Sequence, residues 1–157
     1  MSSYNIWDFY LDKYKYHTRK YGEKTVILLQ VGSFYEIYSK IDPKTGKHIT
    51  NAKVVCDKCC LKFIEKQAPK GLWMGGFKIE VASKYVPIIN RYGYTIVLID
   101  QDPLKPEIRT VSDIISPATY LDIVPEHANH IVSIYIDQAN CYNCLLYTSD
   151  AADEEDS

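Results

Sequence analysis

The sequence lacks any apolar run that could cross a bilayer. Its longest runs, such as Thr95 to Ile99, fall far short of the ~20 residues that a membrane helix needs. No basic stretch followed by an apolar core opens the chain, so we expect no signal peptide and no membrane association. Hydrophobic residues make up 46% of the 157 positions and charged residues 24%, which is ordinary for a globular protein. This composition argues against a collagen-like chain, a long disordered chain and a disulfide-dense miniprotein.

Cysteine is scarce and odd in number: there are five, and three stand together at Cys56, Cys59 and Cys60. Without a secretory signal, we expect reduced thiols inside a cell, in a compartment that the sequence leaves open. Cys56-x-x-Cys59-Cys60, with His48 upstream, has part of a zinc-ligand pattern, but the second pair of ligands is absent from this region. Because reduced cysteines also pack as small apolar residues, metal binding is the lesser alternative.

The net charge is close to zero, with 18 basic against 20 acidic residues, but it is unevenly distributed. Residues 144–157 hold five of the acids and no Lys or Arg, which leaves 1–143 with an excess of three positive charges. Cys144 to Glu154 resembles the translation of a sequencing-library adapter, so we predict that 144–157 is an artefact tail on a gene fragment. The alternative is a natural acidic tail.

Hydrophobic periodicity predicts helices and strands in alternation along the first hundred residues. Apolar residues at helical spacing indicate a helix over 5–21, ending at Gly22, and another over Val81–Tyr92, with Ser83 placed to cap it. The turn residues of Asp42–Gly46 favour a hairpin. β-branched and apolar runs predict four strands: Thr25–Leu29, 34–38, Tyr94–Asp100 and 131–137.

The remaining segments decide the predicted domain boundaries. Lys53 to Cys60 is compatible with a strand or a loop, Pro69 to Gly76 with a loop, and the proline-rich span 103–125 with a connector. Strands interleaved with helices predict a mixed α/β (α+β) domain, in which a mixed β-sheet is flanked by helices. We predict this domain over 1–112, a linker over 113–125, and the truncated start of a second α/β domain over 126–143.

No catalytic constellation is evident in the sequence. Lys44-Thr45-Gly46-Lys47 resembles the end of a phosphate loop, but Ile41 stands where the first Gly is required and His48 where Ser or Thr is required. Fourteen tyrosines in a mildly basic body are compatible with nucleic-acid binding. That signal is weak alone, because tyrosine also serves the core.

The most informative segment is Leu28 to Tyr38, in which an apolar strand and Gly32 precede Phe34-Tyr35-Glu36-Ile37-Tyr38. It resembles the Gly-Asp-Phe-Tyr-Glu-Leu-Phe motif of the N-terminal mismatch-recognition domain of the DNA mismatch repair family MutS, with Ser33 in place of Asp. The similarity extends in order over roughly residues 5–137. Its other anchors are Tyr10–Tyr21, Met74–Phe77, Asn90–Gln101 and Ile114–Thr119.

The resemblance implies that Phe34 wedges into the minor groove and stacks on a mismatched base, while Glu36 hydrogen-bonds that base. Unstacking a step costs roughly a few kcal/mol, least where stacking is already poor, so deformability is read rather than sequence. Residues two apart point to the same side of an extended chain. A carboxylate among phosphates is disfavoured, which favours binding of Glu36 in its protonated form. Tyr35, Lys70 and Lys78 complete the predicted DNA-binding residues, the lysines as phosphate contacts.

For the longer protein, the resemblance implies a dimeric, ATP-switched sensor that uses Mg²⁺ and carries connector, clamp, lever and ATPase domains downstream. The fragment itself is expected to bind double-stranded DNA with mismatches or small loops, to hold no cofactor or metal, and not to be an enzyme. One alternative is a repurposed α/β module that binds protein partners or a metal through Cys56–Cys60. Another is a nuclease-like α/β enzyme whose active site was lost with the truncation.

Overall fold

The computed structural model describes residues 5–118 and the backbone of two further strands, at 131–136 and 142–147. The chain divides into two compact units, Met1–Ser116 and Pro117–Ser157. Among the described residues, no helix combines the length and apolar character needed to span a membrane.

The first unit interleaves helices with six strands. The helices are α1 (Ile6–Tyr21), α2 (Ala52–Lys58) and α3 (Ala82–Arg91), with a short 3₁₀ helix at Ile79–Val81 before α3. The strands are β1 (Thr25–Val31), β2 (Phe34–Lys40), β3 (Phe63–Glu65), β4 (Leu72–Lys78), β5 (Thr95–Gln101) and β6 (Arg109–Ile115).

The six strands form one mixed sheet in the order β3-β4-β2-β1-β5-β6. β1 and β5 run parallel, and the other neighbouring pairs are antiparallel. The predicted mixed α/β fold with a mixed sheet is therefore confirmed. The strand that carries the Phe-Tyr-Glu motif, β2, lies inside the sheet between β1 and β4.

Helices cover both faces of this sheet. On one face, the Tyr10 ring of α1 meets the Tyr38 ring of β2 edge-on, with centroids 5.3 Å apart. On the other face, Phe77 of β4 stacks on Tyr85 of α3 at 4.7 Å, and Cys56 of α2 packs against Gly75. Because side chains alternate along a strand, Phe34, Glu36 and Tyr38 share the α1 face.

Helix α1 forms where the sequence predicts it. The Asn5 side chain accepts a hydrogen bond from the Trp7 backbone amide at 3.1 Å, and Gly22 ends the helix with a φ of +94°. Trp7 and Tyr10 are almost fully buried against β1, β2 and β5. Burying side chains of this size contributes roughly 1.5–3 kcal/mol each, so α1 is fixed on the sheet by packing more than by helix propensity.

Three segments differ from their sequence predictions. Residues 53–58 belong to helix α2, because burying Ala52, Val55 and Cys56 against the sheet outweighs the β propensity of valine. Gly75 and Gly76 lie inside strand β4 rather than in a loop, since the sheet needs residues without side chains there. The span 103–125 contains β6, an exposed edge strand without the apolar alternation that reveals a strand in a sequence.

Smaller differences occur at the helix and turn signals. Asp42–Gly46 does form a turn, in which Asp42 Oδ1 accepts from the Lys44 amide at 2.9 Å, but only an isolated Ile41–His48 bridge follows it. The Lys44–Lys47 segment is therefore an aspartate-stabilised turn. Ser83 lies inside α3, and Val81 occupies the cap position without a side-chain bond.

In the second unit, β7 (Ile131–Ile136) pairs antiparallel with β8 (Tyr142–Tyr147). The strand predicted at 131–137 is confirmed as β7. The backbone of β8 takes in the first four residues of the predicted artefact tail, and 148–157 lie outside the described residues. In the first unit, β6 runs past residue 112, where we predicted the domain to end.

Candidate nucleic-acid interface

The candidate site is built on the two-residue turn that joins β1 to β2. Gly32 and Ser33 close this hairpin, and Val31 pairs directly with Phe34. Gly32 has a φ of +59°, a conformation that costs a residue without Cβ little. The turn therefore delivers Phe34 to the first position of a strand that is hydrogen-bonded on both sides.

Side chains from neighbouring strands hold this turn in place. The Gly32 amide donates to Gln101 Oε1 at 2.7 Å, and Gln30 Nε2 donates to the Gly32 carbonyl at 3.1 Å. On the other side, the Ile79 amide donates to the Ser33 carbonyl at 3.0 Å. The backbone of the turn is thus fixed from both neighbours, although Ser33 replaces the Asp of the motif.

Phe34 is the exposed aromatic residue of a strand whose other aromatic rings are buried. Its side chain is 41% exposed, while Tyr35 and Tyr38 are exposed by 6% and 0%. A large apolar ring left in solvent gives up the stabilisation that burial would supply. Its position at the end of β2 makes it available to a ligand.

Basic and polar residues lie in a row with Phe34 across the end of the sheet. Lys78 pairs with Phe34 from β4, Val31 pairs with it from β1, and Gln101 of β5 pairs with Arg109 of β6. Strands are spaced about 4.8 Å apart, so the row from Lys78 to Arg109 spans about 19 Å. A basic residue therefore lies on each side of Phe34 in this row.

Glu36 lies one step further into the sheet, on the same face as Phe34. Its partner in β4 is Gly76, at which the neighbouring backbone of β2 comes close. A Cβ at Gly76 would come within 2.2 Å of the Tyr35 carbonyl oxygen, so only glycine fits there. The Tyr38 hydroxyl donates a hydrogen bond to Glu36 Oε2.

The environment of Tyr38 is buried and carries charges of both signs. Burial, and then the bond to the Glu36 carboxylate, raise the pKa of Tyr38 well above its ordinary value. The positive charge of Arg109 acts on the same pKa in the opposite direction. The Arg109 Nε is buried and has no hydrogen-bond partner among the described residues.

Tyr35 and Lys70 do not join this group. Tyr35 points to the opposite face, where its hydroxyl donates to Asp100 Oδ1 at 2.8 Å and its ring meets Phe77. Burial and that bond raise the pKa of Tyr35. Lys70 precedes β4, whereas Lys78 ends it, so the two lysines are separated by roughly the 20 Å length of the strand. The structure brings together Phe34, Glu36 and Lys78 only.

Three residues of this interface have no counterpart in the sequence prediction. Arg109 lies in the span that the sequence predicts as a connector, although Thr110 and Val111 beside it have high β propensity. Gln101 acts through the hairpin turn, a contact that spans 69 residues of sequence. Tyr38 had the clearest signal in the sequence, because tyrosine stands where the motif quoted above has phenylalanine.

The three cysteines of the cluster differ in their surroundings. Burial raises the pKa of the Cys56 thiol to about 12 and that of Cys59 to about 11, which disfavours the thiolate that binds a metal. Cys60 is exposed. In the part of the chain that the structure describes, no three His, Cys, Asp or Glu side chains are grouped as metal ligands.

Fold and site together define a mixed α/β domain that presents one exposed ring, a carboxylate and flanking cations at the end of a central hairpin. Sequence comparison identifies its family. The family model described as MutS domain I matches residues 11–124, and the chain belongs to the MutS family.

Two relatives extend the match over most of the chain. A DNA mismatch repair protein mutS homolog of Acanthamoeba polyphaga mimivirus is 30% identical over 148 residues, which cover 88% of this chain and 13% of that protein. A mitochondrial DNA mismatch repair protein mutS homolog of Sarcophyton glaucum is 22% identical over 162 residues, covering 89% and 16% respectively. The chain thus spans less than a fifth of the length of either relative.

Proposed function

We propose that this chain binds mismatched or small-loop double-stranded DNA as the mismatch-recognition domain of a DNA mismatch repair protein. Phe34 is the wedge, Glu36 hydrogen-bonds the displaced base, and Lys78 contacts a phosphate. The observation that carries the proposal is the exposed Phe34 ring on a fixed hairpin, with Glu36 on the same face and Lys78 directly opposite.

The cost of lost base stacking favours binding of a mismatched duplex over a fully paired one. Inserting a ring between bases costs roughly a few kcal/mol of lost stacking, and least at a mismatched step. The exposed ring and the fixed turn mean that the protein has no ordering cost of its own at that step. The difference between duplexes then comes from the DNA, which accounts for recognition without a fixed sequence.

In our proposal, the longer protein has activities that this chain lacks. Both relatives are named as mismatch repair proteins and are more than five times longer than the matched segment. We propose that ATP and Mg²⁺ bind, and that dimerisation occurs, in domains beyond this one. The chain itself is proposed to be a binding module without catalytic activity, because its only phosphate-loop-like segment is an aspartate-stabilised turn.

The proposal is tested by replacing the wedge in the 157-residue chain. Phe34→Ala should lower affinity for a G·T or one-base-loop duplex by about tenfold or more, because stacking on an aromatic side chain is worth roughly 1–3 kcal/mol. Affinity for a fully paired duplex of the same sequence should change little. Fluorescence anisotropy with labelled duplexes measures both affinities.

Tyr16→Ala is the matched control, since Tyr16 is an even more exposed aromatic residue, at 60%, on α1. It should leave the preference for the mismatched duplex intact. Equal binding of mismatched and paired duplexes by the unaltered chain would contradict the proposed function. An unchanged preference in Phe34→Ala would contradict the wedge role.

A further inference from the structure

Tyr38 is the residue of β2 whose side chain contacts Glu36. Its hydroxyl donates a hydrogen bond to Glu36 Oε2. The Tyr38 ring is fully buried. A buried hydroxyl needs a hydrogen-bond partner, and here the partner is the carboxylate proposed to read the base.

Packing fixes the position from which this hydroxyl donates. The Tyr10 ring meets the Tyr38 ring edge-on, and Tyr10 is itself held by a 3.1 Å bond from its hydroxyl to the Ile27 carbonyl. The Lys66 ammonium lies 5.3 Å from the Tyr38 ring centroid, and Met74 pairs with Tyr38 across the strand. The donor therefore cannot follow Glu36 if that side chain changes rotamer.

We propose that Tyr38 is a positioning residue, which holds the Glu36 carboxylate on the Phe34 face before DNA binds. This inference rests on the proposed function. A glutamate side chain loses rotamer entropy when it is held in one conformation. Because the Tyr38 hydroxyl donates to one oxygen of the Glu36 carboxylate, the Glu36 side chain is already ordered before DNA binds. The second oxygen is left to accept a hydrogen bond from a base.

The test is a double-mutant cycle in the 157-residue chain. Tyr38→Phe keeps the aromatic ring and removes only the hydroxyl. It should lower the ratio of G·T to paired-duplex affinity by about fivefold, the effect expected of one hydrogen bond. In a Glu36→Ala background, the same substitution should leave that ratio unchanged, because the group on which Tyr38 acts is gone.

Tyr35→Phe is the matched control, since it removes another tyrosine hydroxyl of β2 that donates to a carboxylate, that of Asp100, on the opposite face of the sheet. It should lower the melting temperature and leave the affinity ratio as it is. An equal loss from Tyr38→Phe with and without Glu36 would show a merely structural role and overturn the inference. An unchanged ratio in Tyr38→Phe would also overturn it, while the preference of the unaltered chain reports on the proposed function separately.

Discussion

A lysine contributes to DNA binding only where it can reach a phosphate, and Lys70 and Lys78 occupy opposite ends of β4. Lys78 is paired with Phe34, the residue that we propose as the wedge. Lys70 lies beyond the other end of the strand. Each phosphate contact adds about −0.9 to the slope of log affinity against log salt concentration. Lys78→Ala should therefore make the slope shallower by about 0.9, as measured by anisotropy titrations at several salt concentrations.

Lys70→Ala serves as the control for this comparison, with an expected slope equal to that of the unaltered chain. If both substitutions changed the slope equally, the interface would extend along the whole of β4. If neither did, the phosphate role of Lys78 would be wrong.

At the scale of single residues, alternation along β2 was predictable and the contacts around it were not. The two-residue spacing of Phe34 and Glu36 predicts a shared face, which the structure confirms, and the same spacing places Tyr35 on the opposite face. The Tyr38–Glu36 bond depends on the rotamers of both side chains. No sequence pattern encodes those rotamers without the packing of α1.

At the scale of elements, the β1–β2 hairpin depends on a glutamine of the neighbouring strand β5. Gln101 Oε1 accepts from the Gly32 amide at 2.7 Å, and the Gln101 amide donates to Gln30 Oε1 at 2.9 Å. Gln101→Ala should therefore accelerate hydrogen exchange at the Gly32 amide by about fivefold, as expected for the loss of one hydrogen bond. Exchange measured by NMR reports this amide directly.

Thr110→Ala provides a control in the neighbouring strand, because Thr110 pairs with Asp100 but is exposed. Exchange at Gly32 should stay at its original rate in that variant. Protection of Gly32 that survives the loss of the Gln101 side chain would mean that the backbone alone holds the turn.

Elements were predictable where local pattern and packing agree. Helix α1 and strands β1 and β5 combine strong periodicity with buried residues, and all three were predicted. Helix α2 and strand β4 go against local propensity, since one uses valine in a helix and the other uses two glycines in a strand. Cys56 of α2 comes close to Gly75, and the Tyr35 carbonyl comes close to Gly76; both contacts exist only in three dimensions.

At the scale of the whole molecule, two buried cysteine thiols make the free energy of unfolding depend on pH in the alkaline range. Burial raises the pKa of Cys56 from 9.0 to about 12 and that of Cys59 to about 11. Between these values and 9.0 the folded state retains protons that the unfolded chain has released. Stability is therefore fully present below about pH 9 and falls as the pH rises toward 11 and 12. Urea midpoints should stay level from about pH 8 to about pH 9 and then decrease toward about pH 10.5.

Substituting a buried and an exposed cysteine in turn tests whether the buried thiols cause this decrease in the urea midpoint. Cys56→Ala should flatten the alkaline decrease, whereas Cys60→Ala, at an exposed position, should leave it as steep as before. Midpoints that stay constant across this pH range would contradict the burial of these thiols.

The interior position of β2 also has a mechanical consequence. Seven residue pairs join β2 to β4, and β1 supports it from the other side. A push on the Phe34 ring along the strand loads both hydrogen-bonded ladders in shear, so many bonds must yield together. On an edge strand, the same push could peel bonds away one after another. The hairpin is therefore stiff against a force applied at the Phe34 ring, and a flexible ligand pressed against that ring would deform before the strand does.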